Sequence, residues 1–350
     1  NAFIRLTIYQ SIIITIMKYY KQIHIAAFLF LLIGCNQHPQ KVERINMIPK
    51  VITNELYISK NCKLIKTNDF FYISDIKETD GFIKIYNPDG SFNTSIGKIG
   101  NGPEEFTTPY ITPYKDEGIL VWNQWGRYNS AISQNTKEGM LLNPITTCFI
   151  NENVASLQTD FEGNFIIYNP TKKEGIITLY SKDGKEIASA GKLPYPQDIS
   201  NRQECFSGNI MYNPYNKKLV LALNTLPYTA VYQIKDNNIT LLNEQEIGDA
   251  EYHISDNNMN IPNPGKDCLV GFCLTKDYIV SILNDPDYKG TDRSQTSPKR
   301  HTVGVYDYNL NLIKIANLNM PRINLASQGN DNSFYSIVLN PEYSIVKAEL

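Results

Sequence analysis

Short apolar runs punctuated by polar turns dominate the chain after residue 60. Residues 70–74, 118–122, 164–168, 218–223 and 278–283 are almost continuously apolar and are bounded by Asn, Asp, Gly, Lys or Ser. Runs of that length with turn residues at both ends predict buried β-strands. No segment carries a 3.6-residue period long enough for a helix of useful length, so the pattern predicts an all-β chain.

A second pattern repeats around these runs. Ile85-Tyr86-Asn87-Pro88-Asp89-Gly90 and Leu179-Tyr180-Ser181-Lys182-Asp183-Gly184 each read as a strand ending in Tyr, a tight turn and a second strand that closes at Gly97 or Gly191. Asp-Gly between two such strands is a hairpin signal, which makes Asp89 and Asp183 turn residues. Val231-Tyr232 and Val305-Tyr306 lead into similar turns, and Ile132-Ser133 begins a weaker copy. The intervals between successive markers are 47, 47, 52 and 74 residues. A four-stranded propeller blade takes about 40–50 residues, so each interval is one blade. The longest carries an insertion at 284–300. Three further strands (323–326, 333–339 and 343–347) end the chain, and residues 42–57 could supply a fourth. A six-bladed β-propeller follows, its last blade shared between the two ends of the chain so that no sheet edge is left open.

The stretch Ile96-Gly97-Lys98-Ile99-Gly100-Asn101-Gly102-Pro103-Glu104-Glu105-Phe106-Thr107-Thr108-Pro109 resembles the entry segment of NHL-type propeller repeats. It is also similar to the Gly-Pro-x-Glu-Phe element of bacterial TolB-like six-bladed propeller lipoproteins. In such an element Gly97, Gly100 and Gly102 permit positive φ where one blade crosses to the next. Pro103 belongs to the same turn, Phe106 plugs the gap between blades, and Pro109 limits where the next strand begins. The glycines are not followed by the Gly-Lys-Ser/Thr of a phosphate loop.

The start of the chain supports the same resemblance. Residues 1–16 read as an over-extended reading frame ahead of Met17. Residues 17–34 read as a signal peptide: Lys18 and Lys21, then a short apolar run, 11 residues over 23–33. A membrane-spanning helix would need roughly 20 apolar residues. Leu32-Ile33-Gly34-Cys35 resembles a lipobox, which implies cleavage before Cys35 and lipid on its thiol. Residues 35–48 are then a tether, and residues 49–350 the propeller domain. Several acyl chains, as in that family, would hold it stably on a membrane. Asn36-Gln37-His38-Pro39-Gln40 lacks the acidic run of a surface-export signal, which points to the periplasmic face of the outer membrane.

Composition narrows the function. The first 34 residues hold three basic side chains and no acidic ones, so residues 35–350 carry 30 basic against 35 acidic. No basic stripe is present, which argues against a nucleic-acid partner. Five cysteines (Cys62, Cys148, Cys205, Cys268, Cys273) remain after Cys35, an odd number without the spacing of a disulfide framework. Cys268 and Cys273 lie in one expected strand, on opposite faces.

Candidate chemistry is sparse. Trp122, Trp125, Arg127 and Tyr128 could stack on a sugar or anchor a peptide, although Trp122 equally suits a buried strand end. Asp285, Asp287 and Asp292 could hold Ca²⁺, but their spacing departs from a calcium loop and Lys289 and Arg293 dilute the charge. No zinc spacing or nucleophile elbow occurs, so no catalytic residue and no cofactor is expected. The expected role is a non-catalytic, lipid-anchored binding or scaffold module for a protein, peptide or glycan. The alternative is a hydrolase or lyase with a metal in its channel, which would need at least three Asp, Glu, His or Asn side chains converging at the channel mouth.

Overall fold

The computed structural model describes residues 42–350, except 55, 60–61, 116–117, 124–129, 138, 146–152, 267, 270, 284–300 and 340. Two strands come first, β1 (Glu43–Asn46) and β2 (Lys50–Thr53). Blade 1 is β3 (Cys62–Lys66), β4 (Phe71–Asp75), β5 (Asp80–Tyr86) and β6 (Phe92–Lys98). Blade 2 is β7 (Pro109–Tyr114), β8 (Gly118–Asn123), β9 (Ser130–Thr136) and β10 (Gly139–Ile145). Blade 3 is β11 (Ser156–Thr159), β12 (Phe165–Tyr168), β13 (Ile177–Tyr180) and β14 (Glu186–Ala190). A four-residue helix, α1 (Arg202–Cys205), precedes blade 4, which is β15 (Gly208–Asn213), β16 (Lys218–Leu223), β17 (Tyr228–Lys235) and β18 (Asn238–Glu246). A separate hairpin follows, β19 (Asp249–Ser255) and β20 (Asn258–Lys266). Blade 5 holds β21 (Phe272–Leu274), β22 (Tyr278–Ile282), β23 (Thr302–Asp307) and β24 (Leu312–Asn317), with β1 added in parallel at its outer edge. Blade 6 is β25 (Arg322–Ala326), β26 (Ser333–Leu339) and β27 (Tyr343–Glu349), completed by β2, which pairs antiparallel with β27.

The expected closure by strands from both chain ends is therefore present. The first strand of each blade touches that of the next, and β25 returns to β3, so six inner strands form a closed ring. Buried apolar residues fall into six clusters, one in each layer between neighbouring blades. Ile65, Tyr72 and Phe82 of blade 1 meet Ile111, Ile119 and Val121 of blade 2. Cys62, Leu64, Phe71 and Ile73 of blade 1 meet Ile337 and Ile345 of blade 6. A blade interior is thus covered on both faces. That is why β4, β8 and β12 are buried at every position and read as continuous apolar runs rather than alternating ones.

The crossing from blade 1 to blade 2 corrects the expected role of two glycines. Gly97 has φ of 83°, as expected. Gly100 and Gly102 do not adopt positive φ. They are small because Glu105 folds back over them. A Cβ on Gly100 would lie 2.0 Å from Glu105 Oε2, and one on Gly102 would lie 2.9 Å from its Cδ. The Gly102 N–H donates to Glu105 Oε2 at 2.8 Å, and Lys98 Nζ lies 3.0 Å from Oε1. These contacts hold the Glu105 carboxyl below its ordinary range, the Gly102 N–H first and Lys98 second. Pro103 sits in the turn so formed, Phe106 packs edge-to-face on Phe82 at 5.9 Å in the layer between blades, and Pro109 opens β7.

Three further differences from expectation have simple causes. Glu43–Asn46, expected in the tether, is a strand, because the outer edge of β24 offers it backbone partners. Cys268 and Cys273 do not share a regular strand: β21 begins only at Phe272, and both thiols are buried without a disulfide. The extra length before Tyr306 includes the hairpin of β19 and β20 as well as residues 284–300. Asp256 and Asn257 turn that hairpin with φ of 49° and 59°, the paired left-handed geometry of a two-residue hairpin turn. The hairpin folds back on the segment before blade 4. Met259 joins the layer between blades 3 and 4, and its N–H donates to Asn201 Oδ1 at 3.0 Å.

Candidate ligand-binding site in the central channel

Packing between blades, rather than at a common centre, leaves the axis hollow. The inner strands enclose a cavity of about 300 Å³, at the lower end of the range for ligand pockets. Its walls are largely apolar, with Leu64, Leu157, Ile210, Phe272 and Leu325 among them. One end is rimmed by the loops that join first to second strands, which contribute Lys115, Asp160, Phe161, Tyr215 and Gln328. Phe161 and Tyr215, from blades 3 and 4, meet edge-to-face at 5.0 Å and are each more than a third exposed. Gln328 of blade 6 donates from its side-chain amide to Asn68 Oδ1 of blade 1, tying two rim loops together.

Among the described residues the charged lining residues are Lys63, Lys66, Lys115 and Asp160. Asp160 serves its own loop. Its Oδ1 accepts the N–H groups of Glu162 at 2.9 Å and Asn164 at 2.8 Å, and Oδ2 accepts Asn164 Nδ2 at 2.8 Å. Lys63 reaches from β3 across to blade 2, where Nζ donates to the Ile111 carbonyl at 2.9 Å. Among the described residues no ion pair reaches Lys63, Lys66 or Lys115. Burial pushes the Lys63 ammonium down to about 8. Lys66 donates to the carbonyls of Thr67 and Asn68 and lies 4.9 Å from the centre of the Phe71 ring. Burial lowers its pKa too, against a smaller opposing pull from Asp69. Lys115 lies over the Tyr114 ring at 5.5 Å.

Of the residues picked out from the sequence, Trp122 is placed on the cavity wall beside Tyr110, their ring centres 5.2 Å apart. Most of it packs in the layer between blades 2 and 3 with Leu120, Leu157 and Phe165. Its indole N–H is buried and has no acceptor among the described residues. Trp125, Arg127 and Tyr128, the acidic trio Asp285, Asp287 and Asp292, and Cys35 all lie outside the described residues. Among the described residues no group of three His, Cys, Asp or Glu side chains could hold a metal ion.

The match with a family model decides the wider identity: the model for TolB-like 6-blade propeller-like domains matches residues 43–323. The chain belongs to this family. Two solved structures are similar to it. One is a putative exported protein from Bacteroides fragilis, 8% identical, with a TM-score of 0.51, covering 88% of this chain and 98% of that one. The other is a member of the DUF4221 family from Bacteroides vulgatus, 12% identical, with a TM-score of 0.47, covering 88% and 97%. Likeness at such identity shows the fold alone. No curated protein matches the sequence significantly.

The lysines and rim aromatics of this TolB-like propeller escaped sequence reading. They belong to no local motif, and each blade contributes only one or two. A signal for them did exist. The Tyr markers lie in the third strand of a blade, so counting two strands back from Tyr86, Tyr180 and Tyr232 reaches the strand that holds Lys63 and the strands that lead into Phe161 and Tyr215.

Proposed function

We propose that this TolB-like propeller is an exported, lipid-anchored binding module of the bacterial envelope. It takes a protein segment, peptide or glycan at the rimmed end of the channel and does not transform it. The observation that carries this reading is the exposed Phe161–Tyr215 pair at the mouth of an apolar cavity. Aromatic faces beside amides suit rings and backbone segments. The one carboxylate of the described lining is occupied by its own loop, so no carboxylate there is poised as a general base. Anchoring and the periplasmic face rest on Leu32-Ile33-Gly34-Cys35 and the residues after it.

Glycan and peptide arrays probed with the full chain carrying Cys35→Ala test the binding role. Specific signals that disappear in Phe161→Ala/Tyr215→Ala would support it. Signals unaffected by that pair, or cleavage of the retained ligand, would overturn it. In cells, Cys35→Ala should move the protein from the membrane to the soluble fraction; unchanged fractionation would remove the lipid anchor from the reading.

A further inference from the structure

A lysine set in an apolar wall is an unusual lining for a channel. Lys63 has three N–H donors and, among the described residues, a single acceptor, the Ile111 carbonyl. Among the described residues its environment supplies no carboxylate. A desolvated ammonium without a carboxylate partner is costly, and a methionine of similar length would fill the space at less cost. Lys66 and Lys115 add positive charge nearer the rim, whereas the only acidic residue of the described lining is spent on its loop. Lys115 precedes Asp116 and Glu117 in the sequence, so its charge is the least exclusive of the three.

We propose that the channel binds a short acidic oligosaccharide, a di-uronate, with the carboxylate of one sugar on Lys63 and the ring of the other against the Phe161–Tyr215 pair. This rests on the binding-module reading and assigns that site its ligand class. Lys63 stands near the start of the inner strand and Thr67 just past its end, a rise of about 13 Å, so an extended ligand of about that length reaches from the ammonium to the rim. The ring aromatics stack on the apolar face of a sugar, and the Asn68 and Gln328 amides at the rim suit its hydroxyls. A compact ammonium on the cavity wall matches one carboxylate. A phosphate is better served by an Arg fork, and the described lining holds no arginine.

Isothermal titration of the full chain carrying Cys35→Ala tests this, with digalacturonate, the neutral digalactose of the same linkage, and inorganic phosphate as separate ligands. The expected result is digalacturonate binding at least tenfold tighter than either of the other two. Lys63→Met should weaken digalacturonate by about tenfold or more and leave the neutral sugar unchanged, in line with a hydrogen bond to a charged group. Lys115→Asn, on an exposed loop where Asn tolerates the positive φ, should weaken it by a smaller factor. Equal affinity for the neutral sugar, phosphate binding as tight, no digalacturonate binding, or full affinity in Lys63→Met would each overturn the proposal. Neutral sugar bound as tightly as digalacturonate, and lost in Phe161→Ala/Tyr215→Ala, would sink the anion while sparing the binding module. Array signals indifferent to that aromatic pair would sink the module itself.

Discussion

Lys63 and Glu105 show how single side chains set the local terms. The ammonium of Lys63 titrates near 8 in the folded chain and near 10.4 when unfolded. A base whose pKa falls on folding costs stability in full below the folded value, and the cost fades as pH rises toward the unfolded one. Lys63→Met should therefore stabilise the protein at pH 7 by up to about 3 kcal/mol and make little difference near pH 10.5, as urea unfolding at the two pH values would show. A loss of binding accompanying that gain in stability is the pattern of a functional residue. Glu105 works in the opposite sense. Its carboxyl is held low by the Gly102 N–H and Lys98, so its contribution is present above the ordinary carboxylate range and disappears as pH falls through its folded value. Because a Cβ on Gly100 would displace this carboxylate, Gly100→Ala should destabilise the wild type but be close to neutral beside Glu105→Ala. A double-mutant cycle measures that coupling. The Gly-Pro-x-Glu-Phe motif was legible as a blade crossing. The reason for two of its glycines was not, since it lies in where the Glu105 side chain folds.

Strands and hairpins carry the next level. The middle strands were readable because burial on both faces leaves an unbroken apolar run. The inner strands were harder to read, since one edge faces the channel and mixes Lys, Gln, Thr and Asn with Leu and Ile. Short elements between blades 3 and 5 were missed for another reason: α1 and the hairpin of β19 and β20 are held by tertiary contacts more than by their own pattern. Arg202 illustrates this. It is buried, and it donates to the carbonyls of Pro170, Thr171, Lys172 and Gln197 and to Gln197 Oε1, with its guanidinium 4.9 Å from the Phe206 ring. Arg202→Met should leave those carbonyls without their donor and cost about 2–4 kcal/mol, detectable as a lower urea midpoint and faster amide exchange at Thr171 and Lys172.

At the scale of the molecule, stability depends on closing the ring. Strand β2 completes blade 6 and β1 extends blade 5, so the two ends of the chain secure neighbouring blades. Removing residues 43–53 would open the backbone edges of β24 and β27. The expected result is a fall in Tm of about 5 °C or more, with exchange accelerating first in blades 5 and 6; an unchanged Tm would mean that closure is dispensable. Hydrophobic spacing and turn residues by themselves determined the all-β class, the blade repeat, the count of six and the shared last blade, because strand period and turn chemistry are local properties written at every repeat. The tertiary structure alone decided that the core divides into layers between blades and leaves a hollow axis. It also decided which single residues from distant blades line that axis: Lys63, Asp160, Phe161 and Tyr215 are separated by up to 152 positions in the chain and become neighbours of one cavity only when the ring closes.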